Sequence, residues 1–161
     1  LFRSLELVKN ACQKLGLNLV TQSITNSSEV KQAAETIVNR VDGIYLTTDN
    51  TVFSALSSLI QVFEKAKKPI FSGDVTGAMN GGCVIASGFN YYKAGRATGE
   101  MVLQILNGKK PSELPVRFMT EPEDFDLLFD LDSAKNCGIE IPKKYLDTAS
   151  MIFENGKLIQ K

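Results

Sequence analysis

Apolar and polar residues alternate along this chain in blocks that predict helices and short buried strands in turn. Within residues 40–63, the apolar run at residues 41–46 is typical of a buried strand. Apolar positions such as Val52, Leu56 and Phe63 then follow at helical spacing, as in a helix that packs one face on a sheet. Because polar residues separate the two elements, we predict a ligand-facing turn at the carboxyl edge of an α/β sheet.

The same periodicity continues through the first two thirds of the chain and predicts the rest of the sheet. Helices are predicted at residues 4–15, 30–38, 52–63 and 91–106. Strands are predicted at residues 17–23, 41–46, 69–74 and 83–87, with a loop over residues 77–82. Alternating strands and helices form parallel sheets through right-handed crossovers. We therefore predict an α/β fold of three layers, with a parallel sheet and helices on both of its faces.

Prolines change the pattern after residue 109. Pro111, Pro115 and Pro122 indicate an extended connector that contains one edge strand at residues 116–120. The remaining predicted elements are a strand at residues 125–129, a short helix at 133–137 and a hairpin over 151–160. The Asn-Gly pair in that hairpin favours a type I′ turn. The pattern therefore changes between residues 1–115 and residues 116–161.

Composition narrows the chemistry that the chain can perform. Its 161 residues contain 18 basic and 18 acidic side chains, so no general field favours nucleic acid or an anionic membrane. The absence of histidine excludes a Cys/His zinc site, a Ser-His-Asp triad and a Cys-His dyad within this chain. Glycine-rich nucleotide-binding motifs are also missing from the sequence. We predict a protein that is not an enzyme and that uses neither a metal nor a cofactor.

Several sequence motifs together carry a resemblance to a known family. The most specific are VDGIYLTTDN at residues 41–50 and GFNYYKAGRATG at residues 88–99, with GIEIP at residues 138–142 in support. This order of motifs resembles the C-terminal half of the ABC-transporter substrate-binding proteins that take up tryptophan and tyrosine. The resemblance implies a type I periplasmic-binding-protein fold, in which two similar α/β lobes close on a ligand.

The resemblance also implies that the chain is a fragment. Residues 1–115 would be the second ligand-binding lobe, incomplete at its N-terminus, and residues 116–161 a crossover and return segment that could belong to the other lobe. The chain begins at a helix-like stretch without an initiator Met, whereas a lobe of this fold begins with the central strand of its sheet. That strand and the N-terminal lobe would lie upstream of Leu1. The resulting gap in the sheet is expected to be filled by residues 125–129, by a neighbouring chain or by protein outside this numbering.

The resemblance further implies partners and a location. The expected partners are a small-molecule ligand, with an aromatic amino acid preferred, an ABC permease in the membrane and the missing N-terminal lobe, but no nucleic acid. The expected location is extracytoplasmic, in a periplasm or as a cell-surface lipoprotein. Two alternatives stay open, namely the effector-sensing lobe of a transcription regulator and a sugar-binding protein of the same fold.

Carried over residue by residue, the resemblance places the ligand-binding side chains at three strand ends. They are Thr48, Asp49 and Asn50 after the first, Gly73 and Asp74 after the second, and Phe89 and Asn90 after the third. If the ligand is an amino acid, its ammonium group needs a carboxylate partner, and Asp49 is the first candidate. Asp49 could instead serve only as a helix N-cap, as could Asn90, and Asp74 could belong to an ordinary turn.

Overall fold

The computed structural model describes residues 2–161, with side-chain surroundings from Ser4 onward. Its helices are α1 (Phe2–Leu15), α2 (Val30–Ile37), α3 (Asn50–Phe53), α4 (Leu56–Lys65), α5 (Tyr91–Leu106), α6 (Leu131–Asn136) and α7 (Lys143–Leu146). Its strands are β1 (Ile44–Leu46), β2 (Ile70–Ser72), β3 (Ile85–Phe89), β4 (Phe125–Asp130), β5 (Met151–Glu154) and β6 (Lys157–Gln160). The helices predicted at residues 4–15, 30–38 and 91–106 are confirmed to within two residues at each end.

The strands form one sheet of six in the order β1-β2-β3-β4-β5-β6. Strands β1, β2 and β3 are parallel, and β4 joins β3 in the antiparallel direction. Strand β5 runs parallel to β4, and β6 closes the sheet as an antiparallel partner of β5. The sheet is therefore mixed, and its parallel half contains three of the four strands predicted for it. Helices lie on both sides of it, which confirms the predicted α/β class.

The main core lies between the sheet and the pair of helices α2 and α4. Phe63 of α4 and Leu128 of β4 are fully buried, and Ile70 of β2 is 2% exposed. Burial of one such side chain contributes about 1.5–3 kcal/mol to stability. The predicted helix at residues 52–63 is broken in two, because Ala55 leaves the helical region at φ −122° and ψ 21°. The core-facing spacing of α4 is nevertheless the one expected from the sequence.

The prediction of a strand at residues 17–23 is wrong, since residues 17–24 form no strand. Apolar side chains in this stretch stay exposed, with Leu17 at 59% and Leu19 at 39%. A strand requires a hydrogen-bonded neighbour, and no strand among residues 2–161 pairs with this stretch. Of the three ways in which the gap was expected to be filled, the one through residues 125–129 is wrong, because β4 pairs with β3 at the opposite side of the parallel strands.

The prediction of an edge strand at residues 116–120 is wrong as well, since this segment pairs with no strand among residues 2–161. Strand β4 already occupies the side of β3 that an added strand could use. Arg117 instead pairs with Glu100 of α5 at 3.0 Å, while the flanking Val116 and Phe118 are about three-quarters exposed. The connector is therefore held along a helix by an exposed ion pair, which contributes little to stability.

The C-terminal hairpin is confirmed. Strands β5 and β6 pair around Asn155 and Gly156, whose φ angles of 52° and 72° fit the predicted type I′ turn. The Asp132 carboxylate accepts hydrogen bonds from both turn amides, at 3.0 and 2.9 Å. Strands β4 to β6 belong to the same sheet as β1 to β3. The division of the chain at residue 115 stays a prediction.

Two features of residues 2–161 bear on the chemistry of the chain. No helix in this range is long and apolar enough to cross a membrane. Nor do three or more Cys, Asp or Glu side chains of the described chain come together in a way that could hold a metal ion.

We predict that Cys83 resists alkylation in the folded protein. Its side chain is fully buried, and this burial, together with the nearby negative charge of Asp130, raises its pKa to about 12. Because the thiolate is the reactive form, iodoacetamide at pH 8 should label the half-buried Cys12 and Cys137 before Cys83. Peptide mass spectrometry with and without urea measures this order. Labelling of Cys83 as fast as Cys12 in the folded chain would contradict it.

The same raised pKa predicts a loss of stability at alkaline pH. The Cys83 pKa is higher in the folded than in the unfolded chain, so ionisation favours unfolding. The contribution of the neutral thiol is fully present below the unfolded pKa and is lost as the pH rises toward about 12. Urea denaturation of Cys83→Ala between pH 8 and 11 should show a weaker pH dependence than the parent chain.

Candidate functional site

Hydrogen bonds tie together the turns that follow β1 and β2. The hydroxyl of Thr48 donates to the carbonyl oxygen of Gly73 at 3.2 Å, and the Gly73 amide donates to the carbonyl oxygen of Leu46 at 2.8 Å. A side chain at position 73 would place its Cβ 2.8 Å from the Tyr45 hydroxyl oxygen and 3.2 Å from the Leu46 carbonyl oxygen. Glycine at this position allows the two strand ends to approach each other.

A second glycine brings β3 against the turn that follows β2. A Cβ at Gly88 would lie 3.0 Å from the Cα of Asp74, 3.1 Å from the Gly73 oxygen and 3.1 Å from the Val75 nitrogen. All three atoms belong to the backbone, which cannot move aside as a side chain can. The position of the Asp74 turn relative to β3 therefore depends on the absence of a side chain at residue 88.

We predict that Gly88→Ala destabilises the chain by about 1–3 kcal/mol, the usual cost of overpacking. Thermal unfolding by circular dichroism measures the loss. Gly95→Ala is the matched control, because Gly95 lies within α5 and a Cβ there meets nothing within 4 Å in the described chain. The control should be neutral or should stabilise the protein by about 0.5–1 kcal/mol. Equal melting temperatures for Gly88→Ala and the parent would contradict the close approach.

Asp49 is an N-cap in this structure. Its Oδ1 atom accepts hydrogen bonds from the amides of Thr51 at 2.8 Å and Val52 at 3.1 Å, two of the amides in the first turn of α3 that have no partner within the helix. The side chain is half-buried, whereas the neighbouring Thr48 and Asn50 are exposed. Asp49 therefore has the capping role that the sequence analysis gave as an alternative to ligand binding. Both of these hydrogen bonds go to Oδ1, and no side-chain hydrogen bond to Oδ2 occurs among the described residues.

Asp74 is the most buried of the predicted site residues, at 6% exposure. Its Oδ1 atom accepts hydrogen bonds from the amide of Thr76 at 2.7 Å and from the Thr76 hydroxyl. Its Oδ2 atom accepts a hydrogen bond from the hydroxyl of Tyr91 at 3.1 Å. The Ser72 hydroxyl oxygen accepts from the Asp74 amide and donates to its carbonyl oxygen, at 3.1 and 2.7 Å. The protein itself thus occupies both oxygens of this carboxylate.

Asn90 joins β3, α5 and β4. Its Oδ1 atom caps α5 by accepting from the Lys93 amide at 2.9 Å, and its Nδ2 atom donates to Oδ1 of Asp126 at 3.1 Å. The ring of the preceding Phe89 stacks on Phe125, with centroids 4.9 Å apart. The capping role expected for Asn90 is present, and it is combined with a link to the next strand.

An open cavity of about 370 Å³ lies where β3 ends and α5 begins. Residues that line it include Thr76, Phe89, Asn90, Tyr91, Tyr92 and Asp126. Of the seven predicted site residues, Phe89 and Asn90 line this cavity. Thr48, Asp49, Asn50, Gly73 and Asp74 do not line it, although Asp74 reaches it through Tyr91.

The sequence analysis missed Asp126 as a candidate site residue. It is half-buried, lines the cavity and binds Asn90. One signal was available, because Asp126 is an isolated charged residue within the apolar run FDLLF. A charge inside a short buried strand points to a polar partner or to a site.

An α/β domain with polar turns at the carboxyl edge of its parallel strands, next to an open cavity, has the form of a ligand-binding domain. A family model described as ABC transporter substrate binding protein matches residues 2–152. The chain belongs to this family of substrate-binding proteins.

Individual relatives agree with the family. A tyrosine-binding protein of Clostridioides difficile (strain R20291) is 32% identical over 111 residues, which cover 69% of this chain and 32% of that protein. A conserved domain protein from Vibrio cholerae superposes with a TM-score of 0.82 at 33% identity, over 95% of this chain and 50% of that one. The ABC domain from Streptococcus pneumonia in complex with L-Trp superposes with a TM-score of 0.81 at 27% identity, over 94% of this chain and 50% of that one.

This chain corresponds to only part of each of these relatives. It spans about a third of the curated relative and half of each of the two solved structures. A ligand-free, open structure of a substrate binding protein with adhesive properties from Clostridium difficile is also similar, with a TM-score of 0.65 at 33% identity over 86% of this chain and 45% of that one.

Proposed function

We propose that this chain is the C-terminal lobe of an extracytoplasmic binding protein that captures an aromatic amino acid and delivers it to an ABC permease. The observation that carries the proposal is that hydrogen bonds join the polar strand-end turns at one edge of the sheet, where the third turn lines an open cavity. The names of two relatives, a tyrosine-binding protein and a domain in complex with L-Trp, support this ligand class.

The ligand would lie between this lobe and an N-terminal lobe, with the strand-end turns as one wall. Thr48, Asp49 and Asn50 would contact its polar end, where the Asp49 charge suits an ammonium group. Phe89 and Asn90 would contact it from the cavity side, since both line that space. Closure of the two lobes would then signal occupancy to the permease, and no catalytic step is involved.

The two alternative functions have less support. An effector-sensing lobe of a transcription regulator and a sugar-binding protein would both use the same fold. The family match over residues 2–152 is to transporter substrate-binding proteins, and the two relatives with a named ligand are named for amino acids. No residue of the described site specifically supports either alternative.

Isothermal titration of the full-length protein against the twenty amino acids tests the proposal. We expect heat with one or more of Trp, Tyr and Phe and none with glucose or ribose as sugar controls. Absence of heat with all three aromatic amino acids would overturn the aromatic assignment. Heat with a sugar alone would favour the sugar-binding alternative.

A further inference from the structure

We propose that Asp74 is a positioning residue, which holds the ring of Tyr91 as the aromatic wall on which the side chain of the ligand packs. This inference rests on the proposed function and changes the role of one predicted site residue. The sequence suggested direct contact between Asp74 and the ligand, whereas the structure assigns it to another side chain of the same lobe.

The first argument is the state of the Asp74 carboxylate. It is 6% exposed and accepts three hydrogen bonds, two from Thr76 and one from Tyr91. An ionised carboxylate has two oxygens with about four acceptor positions, so three donors leave little for a ligand. With the residue 6% exposed, the remaining acceptor position is poorly accessible to a ligand ammonium.

The second argument is the difference between two adjacent tyrosines. Both line the cavity, but Tyr91 is 54% exposed with its hydroxyl bound to Asp74, whereas Tyr92 is 74% exposed. No hydrogen bond of the Tyr92 hydroxyl occurs among the described residues. The backbone of Tyr91 is fixed as well, because it directly follows the cap Asn90, whose amide donates to the carbonyl oxygen of Asp124 at 2.8 Å.

A ring held at both ends is preorganised for stacking. The long axis of the ring cannot swing away from the cavity without breaking the bond to Asp74, so packing a flat side chain against this ring costs less conformational entropy. Aromatic pairs prefer such fixed offset or edge-to-face geometry. The cavity of about 370 Å³ is within the size range of small-molecule sites.

The pKa of the Tyr91 phenol can be measured in the absence of ligand. Burial, followed by the negative charge of Asp74 and the hydrogen bond to it, raises the Tyr91 pKa above its ordinary value. The phenol therefore stays neutral and able to donate its proton to Asp74 through the physiological range. Removal of the Asp74 charge should lower this pKa toward its ordinary value.

Two measurements on the full-length protein test the proposal. In titrations with L-tryptophan, Tyr91→Phe and Asp74→Asn should each weaken binding about threefold to tenfold, and the double variant should be no weaker than the weaker single variant. Tyr145→Phe is the control, because that half-exposed tyrosine lies in α7, does not line the cavity and should leave affinity unchanged. In ¹³C NMR of labelled tyrosine, the Tyr91 resonance should titrate at lower pH in Asp74→Asn than in the parent protein.

Several outcomes would overturn the proposal. Tyr91→Phe that binds L-tryptophan as the parent does removes the ring-holding role, as would additive losses in the double variant. An unchanged Tyr91 titration in folded Asp74→Asn would show that the two groups are not coupled. If the parent binds no aromatic amino acid, the proposed function itself fails, and the NMR titration still decides whether Asp74 controls Tyr91.

Discussion

Asp49→Ala is expected to weaken binding of an aromatic amino acid to the full-length protein by about tenfold to a hundredfold. A charge-assisted hydrogen bond to the ligand ammonium is worth about 1.5–3 kcal/mol, and each 1.4 kcal/mol changes affinity about tenfold. The same substitution removes the cap of α3, since Thr51 and Val52 lose their shared acceptor. That loss should cost about 0.5–2 kcal/mol of stability, whether or not ligand is present.

Asp49→Asn separates the two effects. Asparagine keeps an amide oxygen in the position of Oδ1, so the cap and the stability should be retained. It removes the charge, so the affinity for an ammonium group should still fall. Asp42→Asn is a control for net charge, because Asp42 is exposed and lies outside the strand-end turns. Titration calorimetry and thermal unfolding are compared across the four proteins.

An Asp49→Asn protein that binds as tightly as the parent would show that Asp49 acts only as a cap. Equal losses of affinity in Asp42→Asn and Asp49→Asn would point to a general charge effect. A loss confined to position 49, with stability preserved, is the expected result. It would support the assignment of this carboxylate to the ligand ammonium.

The second large effect concerns the free edge of the sheet. Strand β1 is the first strand of the sheet, and within residues 2–161 no strand pairs with its outer edge. Ile44 and Leu46 use their backbone groups toward β2, with Ile44 donating to Pro69 and Leu46 accepting from Gly73. Because successive residues of a parallel strand alternate in direction, the Tyr45 amide and carbonyl point outward. The N-terminal part of the described chain also exposes apolar side chains, including Leu5, Leu7, Leu15, Leu17 and Leu19.

We expect the 161-residue chain on its own to self-associate at micromolar concentration, since an unpaired strand edge is a template for pairing. The full-length protein should instead be monomeric, because a strand upstream of Leu1 would occupy the edge. Analytical ultracentrifugation measures both. Hydrogen exchange should be fast at the Tyr45 amide of the dilute chain and slow in the full-length protein, while the Ile44 amide is slow in both.

A monomeric chain at all concentrations would contradict this expectation, as would a protected Tyr45 amide in that chain. Tyr45→Lys provides a further check, because charged residues on an edge discourage pairing. That variant should shift the isolated chain toward the monomer. The same change in a protein with a complete sheet should have little effect on association.

Local periodicity predicted the elements whose start and end are set by residues within or next to the element. Helix α5 was predicted within its observed bounds because its cap at Asn90 and its end at residues 107–108 are both local signals. The hairpin of β5 and β6 was predicted for the same reason, since Asn155 and Gly156 tolerate positive φ. Residues 17–23 and 116–120 have strand-like composition, but a strand exists only with a neighbour, and that neighbour is not encoded within the segment itself.

The sequence by itself determined the class of fold, the family resemblance and the three turns at which polar residues follow apolar strands. Only the tertiary structure decided which side chains meet. Asp74 and Tyr91 are 17 residues apart, and Asn90 and Asp126 are 36 apart, so no spacing along the chain predicts either bond. The physical reason is that hydrogen-bond partners are set by the pairing of β2, β3 and β4 and by the close approach at Gly88. Those contacts form only when distant segments pack together.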